Sequence, residues 1–143
     1  MLDAVRVVKD MGYRVGLHTA GPYPKRLRRL LPWLDWVAMD IKAPFEIYQS
    51  VTGIPGSGAS ALKSATEILN RGIPHEFRTT VDPHLLHTDS LRSMARSLAE
   101  LGVRNYILQA CRTPAGENLT QEIPPNLIAE LHSMFECFSF RHH

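Results

Sequence analysis

The stretch Asp35-Trp36-Val37-Ala38-Met39-Asp40-Ile41-Lys42-Ala43-Pro44 most constrains what this chain can fold into. It is a near-continuous apolar run of strand length that closes on two charges and a proline. Side chains alternate along a strand, so Val37, Met39 and Ile41 fall on one face, and Trp36, Ala38, Asp40 and Lys42 on the other. Apolar residues on both faces predict a strand covered on both sides, as in a parallel sheet packed by helices. Pro44 cannot donate to a sheet ladder and ends the strand. Asp40 and Lys42 therefore point the same way at the carboxyl end of a strand, where α/β folds place ligands. An ion pair that seals the strand end is the competing reading of the same two residues.

The rest of the chain alternates around this strand. Leu2, Val5 and Val8 recur at helical spacing, and Gly12 stops the helix they predict over Met1 to Met11. Tyr13 to Thr19 reads as a strand, Ala20 to Pro24 as a loop, and Leu27, Leu30, Leu31 and Leu34 as the stripe of a helix opened by Pro24. After the central strand, Phe45 to Thr52 reads as a short helical turn and Gly53 to Gly58 as a loop. Ser60 caps a predicted helix through Asn70. His75 to Asp82 alternates, with Glu76, Arg78, Thr80 and Asp82 on one face, too polar for a packed core. A helix over Thr88 to Leu101 ends at Gly102, a fourth strand spans Asn105 to Ala110, and Arg112 to Glu122 is a polar loop. A last helix, opened by Pro124-Pro125, is predicted to run through about Phe138. One helix followed by four strand–helix units implies parallel strands joined by right-handed crossovers. The expectation is one domain over 1–143, an α/β partial barrel with four parallel strands in an open, curved sheet.

Composition narrows the function classes. Apolar residues are 44% and charged residues 21%, which suits a globular domain, and a net charge of +2 gives no ground for nucleic acid or a membrane surface as partner. No apolar run approaches the roughly 20 residues that span a bilayer. The charged start (Asp3, Arg6, Lys9, Asp10) is unlike a signal peptide. Cys111 and Cys137 read as reduced thiols of a cytoplasmic protein. Lys25, Arg26, Arg28 and Arg29 lie off their helix's apolar stripe as a solvated face. The glycines at 53–58 lack the spacing of a dinucleotide or P-loop fingerprint. His84 and His87 have no third metal ligand in view, and Ser57 is not in a nucleophile elbow.

What remains are polar residues at strand ends: His18 and Thr19, Asp40 and Lys42, Arg78 and Thr80, and Gln109 with Arg112. Four neighbouring parallel strands would bring them to one rim. A carboxylate accepts two hydrogen bonds and can hold a ribose diol, an arginine can grip a carboxylate in a bidentate pair, and a lysine adds a mobile positive charge. Together they suit a zwitterionic ligand that carries a sugar.

In that order, His18-Thr19-Ala20-Gly21, Trp36 to Pro44, Phe77-Arg78-Thr79-Thr80-Val81 and Tyr106-Ile107-Leu108-Gln109 resemble radical SAM enzymes, in particular the activating proteins of glycyl-radical enzymes of the anaerobic ribonucleoside-triphosphate reductase type. The resemblance covers nearly the whole chain, and Trp36 to Pro44 is its most specific part. It implies a (βα)₆ partial barrel of which this chain is the C-terminal portion, its strands being the third to sixth. It implies S-adenosylmethionine and a [4Fe–4S] cluster as cofactors, a 5′-deoxyadenosyl radical as the reactive species, and a glycyl-radical enzyme as partner. By resemblance, Asp40, Lys42 and Arg78 would bind the ribose and methionine parts of the cofactor, with Thr19, Thr80 and Gln109 on the same rim.

The chain departs from the family in three places, one of them Ala20, which stands where the family usually has Asn. It has no C-x₃-C-x₂-C to ligate the cluster and no Gly-Gly-Glu segment to hold the methionine amine. A cluster is therefore expected only if a cysteine-bearing N-terminal part is supplied, as a partner or as the rest of a longer or split gene. The bare sheet edge at Tyr13–Thr19 would then be covered by that part, or by a second copy in a homodimer. The alternatives are a non-catalytic half-barrel that binds a nucleotide-like ligand or a protein, and an inactive fragment.

Overall fold

A computed structural model describes residues 1–119 and 122–142. Positions 120–121 of the predicted polar loop and His143 of the tail lie outside the described residues. The helices are α1 (Leu2–Asp10), α2 (Pro24–Leu30), α3 (Tyr48–Thr52), α4 (Ser57–Arg71), α5 (Thr88–Leu101) and α6 (Pro125–Met134). The strands are β1 (Gly16–Thr19), β2 (Trp36–Asp40), β3 (His75–Val81), β4 (Asn105–Arg112), β5 (Asn118–Leu119) and β6 (Cys137–Arg141). Strands β1, β2, β3, β4 and β6 pair side by side in that order and all in parallel. β5 turns back antiparallel onto the tip of β4.

The sheet has five parallel strands, not the four predicted. The extra one, β6, overlaps the end of the helix expected to reach Phe138. Phe135 and Phe138 are three residues apart and satisfy a helical period. Yet α6 ends at Met134, and Phe135 already has extended backbone, with φ −119° and ψ 147°. Phe138 and Phe140 then alternate along β6. The aromatic rings explain the switch: Phe135 and Phe138 sit 5.0 Å and 6.2 Å from the Tyr106 ring. Packing against β4 overrides the local period.

Other boundaries moved by a few residues. β1 starts at Gly16 and not Tyr13, because Asp35 takes over the backbone before it. The Val15 amide donates to Asp35 Oδ2 at 2.7 Å, and the Asp35 amide donates to the Val15 carbonyl at 2.8 Å. Lys9 of α1 reaches the same carboxylate at 2.9 Å and ties the first helix to the sheet. α4 begins at Ser57, one turn before the predicted Ser60, because Gly56 takes the left-handed conformation (φ 73°) just ahead of it.

Sequential neighbours with crossovers of one hand put all the crossover helices on one side of the sheet. That side carries Met39, Phe77, Thr79, Val81, Tyr106 and Leu108, all essentially buried in one apolar cluster. The cluster takes Leu27 and Leu30 from α2, Ala61, Ala65 and Ile68 from α4, Leu91, Met94 and Leu98 from α5, and Leu127 and Leu131 from α6. Ala38 and Ile107, buried on the opposite side, stand outside it. The opposite side is the concave face of a partial barrel, and the polar strand positions lie there. No helix among the described residues is long and apolar enough to cross a membrane.

Candidate functional site

Register builds the site. Asp40 of β2 is the direct neighbour of Arg78 of β3, so both side chains leave the concave face side by side. Arg78 Nη2 lies 3.0 Å and Nε 3.1 Å from Asp40 Oδ1. Lys42, just past the end of β2, brings its Nζ to 3.4 Å from the other oxygen, Oδ2. The carboxylate is thus shared between a fixed guanidinium and a mobile ammonium. The backbone beneath is held firmly: the Ile41 amide donates to the Arg78 carbonyl at 2.7 Å, and the Lys42 amide donates to the Tyr48 hydroxyl at 3.1 Å. Burial pushes the Tyr48 phenol above the usual tyrosine range, so it stays protonated at neutral pH.

The network extends both ways across the sheet. Arg78 Nη2 is 2.9 Å from His18 Nδ1 on β1. Glu76, two residues before Arg78 on the same face, lies 3.9 Å from Arg78 Nε and 3.5 Å from Arg141 Nη2 on β6. The predicted residues therefore divide. Asp40, Lys42 and Arg78 touch one another. Thr80 and Gln109 are opposite one another in register and face the same concavity one step closer to the rim, Thr80 exposed and Gln109 half-buried. Thr19 belongs to the other face of β1 with Leu17, and its Oγ1 accepts the Gly21 amide proton at 2.9 Å.

The sequence placed His18 at the strand-end rim and Glu76 on the polar face of its strand without assigning either a contact, and gave no role to Arg141. The signal for the first two was in the alternation. His18, rather than Thr19, has the parity that reaches the concave face once β1 is registered on β2, and Glu76 lies two residues from Arg78. Arg141 was hidden by reading the last segment as helix.

Both readings of the strand-end charges describe part of what is seen. Asp40, Lys42 and Arg78 do pair with each other. They also remain open to solvent, the Asp40 side chain 33% and the Lys42 side chain 42% exposed, while Arg78 is 16% exposed. Exposed pairs of this kind contribute little to stability and exchange readily for other partners. An arriving carboxylate could take Arg78 and Lys42, and an arriving diol could take Asp40.

The thiols do not converge. Cys111 is near the carboxyl end of β4, and Cys137 pairs in register with Asn105 at its other end. That separates them by about 20 Å along the strand direction, at about 3.3 Å per residue. Two thiols at opposite ends of a sheet do not fit a cluster that needs three on one side. Among the described residues no three His, Cys, Asp or Glu side chains gather as metal ligands, and His84 and His87 join no such group.

No protein-family model matches the sequence, and no curated protein matches it. Solved structures do. Over 98% of its length the chain is similar to 88% of a domain of pyruvate-formate lyase-activating enzyme from Bacteroides vulgatus, with a TM-score of 0.77 and 13% identity. Over 96% of its length it is similar to a radical SAM methyltransferase from Sphaerobacter thermophilus, with a TM-score of 0.67 and 16% identity. It spans 45% of that second protein. The likeness is one of fold: an α/β partial barrel of the kind these proteins share.

Proposed function

We propose that this chain is the S-adenosylmethionine-cradling part of a radical SAM enzyme of the glycyl-radical-activating type. The observation that carries the reading is the Asp40–Arg78–Lys42 group, solvent-open at the carboxyl ends of adjacent parallel strands. Asp40 accepts the two ribose hydroxyls, and Arg78 and Lys42 meet the methionine carboxylate. Thr80 and Gln109 add hydrogen bonds further along the rim, and Thr19 shapes the end of β1 through Gly21. The fold shared with an activating-enzyme domain and a radical SAM methyltransferase supports the class. The sequence resemblance favours a glycyl-radical partner of the anaerobic ribonucleotide reductase type. With two free thiols, the chain fits the cytoplasm. Calorimetric titration with S-adenosylmethionine, wild type against Asp40→Ala, tests the cradle.

When bound, a [4Fe–4S] cluster would supply the electron that cleaves the sulfonium. The residues here do not fit it, so its thiolates come from another segment or polypeptide. β1 pairs only with β2 among the described residues. Beside its free edge a recess of about 470 Å³ is floored by Leu2, Leu17, Leu27 and Leu30 and rimmed by Arg26 and Arg29. Neither arginine has an acidic partner among the described residues. We assign this edge to a cysteine-bearing complementing segment that adds a parallel strand with apolar and acidic residues. Sedimentation of the chain, alone and with such a segment, tests this: a one-to-one complex supports it, and a homodimer that excludes the segment overturns it.

A non-catalytic half-barrel for a nucleotide-like ligand or protein is favoured by one observation, the mutual pairing of Asp40, Lys42 and Arg78. Formation of 5′-deoxyadenosine by the complemented, reduced protein decides against it.

A further inference from the structure

Arg78 stands between two acceptors. Its Nη2 is 3.0 Å from Asp40 Oδ1 and 2.9 Å from His18 Nδ1. A guanidinium carries five N–H donors and no acceptor, so Nδ1 must supply the lone pair. The imidazole is then neutral with its proton on Nε2. The ring is set edge-on to Trp36, with centroids 5.1 Å apart and planes 68° apart, which holds the plane of the ring.

The two acceptors have different fates when a ligand arrives. Asp40 is the group that a diol recruits, and in turning to it Asp40 loosens its hold on Arg78. His18 accepts from the same Arg78 nitrogen and has no such competitor. We propose that His18 is a positioning residue for the ligand of this site. Its neutral ring keeps the Arg78 guanidinium aimed at the ligand carboxylate, and protonation of the ring removes that hold. This rests on the reading of the site as an S-adenosylmethionine cradle.

The ring is exposed to solvent. The charged groups around it are Asp40 and Lys42 from β2 and its end, Glu76 and Arg78 from β3, and Arg141 from β6 through Glu76. On the edge side Arg26 and Arg29 of α2 and Met1 line the recess that His18 also borders. Taking a proton turns Nδ1 from acceptor to donor against a cation. Ligand affinity is therefore weaker with the ring protonated than with it neutral.

Two measurements test it. Nitrogen-15 NMR of the histidine rings in the ligand-free protein at about pH 8 is expected to show His18 protonated on Nε2. A ring protonated on Nδ1 overturns the proposal. Calorimetric titration with S-adenosylmethionine from about pH 8 down to about pH 5 compares wild type, His18→Ala and His18→Asn. The expected result is about tenfold weaker binding for His18→Ala, near wild-type binding with a flat pH profile for His18→Asn, whose amide oxygen accepts without titrating, and a falling profile for wild type. Unchanged affinity and pH profile in His18→Ala overturn the positioning role while the cradle stands. No binding by wild type at any pH overturns the cradle and the positioning role together.

Discussion

The Tyr106 hydroxyl donates to Thr79 Oγ1 across 2.8 Å, in a part of the core where neither residue meets solvent. Thr79 passes its own proton to the Ile41 carbonyl, 2.9 Å away. Ile41 lies between Asp40 and Lys42, so this buried relay holds the backbone from which both site charges project. Its two members have unequal consequences. Thr79→Val leaves the Tyr106 donor and the Ile41 acceptor both unmatched in the core, a loss of about 1–3 kcal/mol. Tyr106→Phe removes a donor and leaves Thr79 its bond to Ile41, at a cost of about 1 kcal/mol. Urea unfolding of the two variants should show that order, and the reverse order would contradict it.

The same phenol sets the alkaline limit of stability. Burial drives Tyr106 well above the usual tyrosine range, and the hydrogen bond to Thr79 opposes this only in part. In the unfolded chain the phenol ionises near pH 10, at about its reference value, while in the folded protein it keeps its proton. The stabilisation is therefore complete below about pH 10 and is lost as pH rises toward the folded value. Tyr106→Phe should unfold less steeply with pH above about 10 than wild type, by thermal melts monitored by circular dichroism. Parallel curves for the two proteins would show that Tyr106 does not set this limit.

Gly21 closes β1 onto the helical layer. Its φ is 70°, and a Cβ there would sit 2.5 Å from Met39 Cε and 2.8 Å from Ser64 Cβ. Ser64 Oγ donates to the Gly21 carbonyl at 2.8 Å, which holds the turn in place. Gly21→Ala combines left-handed strain with overpacking and should cost about 3 kcal/mol. A melting temperature within a degree or two of wild type would contradict the close approach.

Much of this arrangement was legible in the sequence. The stretch Asp35 to Pro44 announced a buried parallel strand with Asp40 and Lys42 at its end, and β2 is that strand. Alternation in His75 to Asp82 put Arg78 on a polar face, and register delivered it to Asp40. Alternation fixes which residues share a face but not how neighbouring strands slide, so the contact of His18 with Arg78 needed the register of β1 on β2. β6 was illegible for another reason. Phe135, Phe138 and Phe140 satisfy a helical spacing first and a strand spacing second, and only the Tyr106 ring beneath them decides. Thr19 was expected on the ligand rim and lies at the correct strand end but on the helix side, because Thr19 and His18 both lie at that end and a list of strand ends does not separate faces.

The positions of the thiols bear on the metal chemistry. Anaerobic reconstitution of the chain alone with iron and sulfide should yield no stable [4Fe–4S] cluster, and Cys111→Ser with Cys137→Ser should leave that result unchanged. Iron and sulfide analysis with visible absorption makes the measurement. A stoichiometric cluster lost on replacing these two cysteines would contradict the separation across the sheet.

Isothermal titration of S-adenosylmethionine into wild type, Asp40→Ala and Arg78→Ala at about pH 8 tests the cradle most directly. The account predicts measurable saturable binding to wild type and a loss of about tenfold or more in each variant, the worth of one charge-assisted hydrogen bond. Equal affinity across the three proteins, or none in wild type, would contradict it.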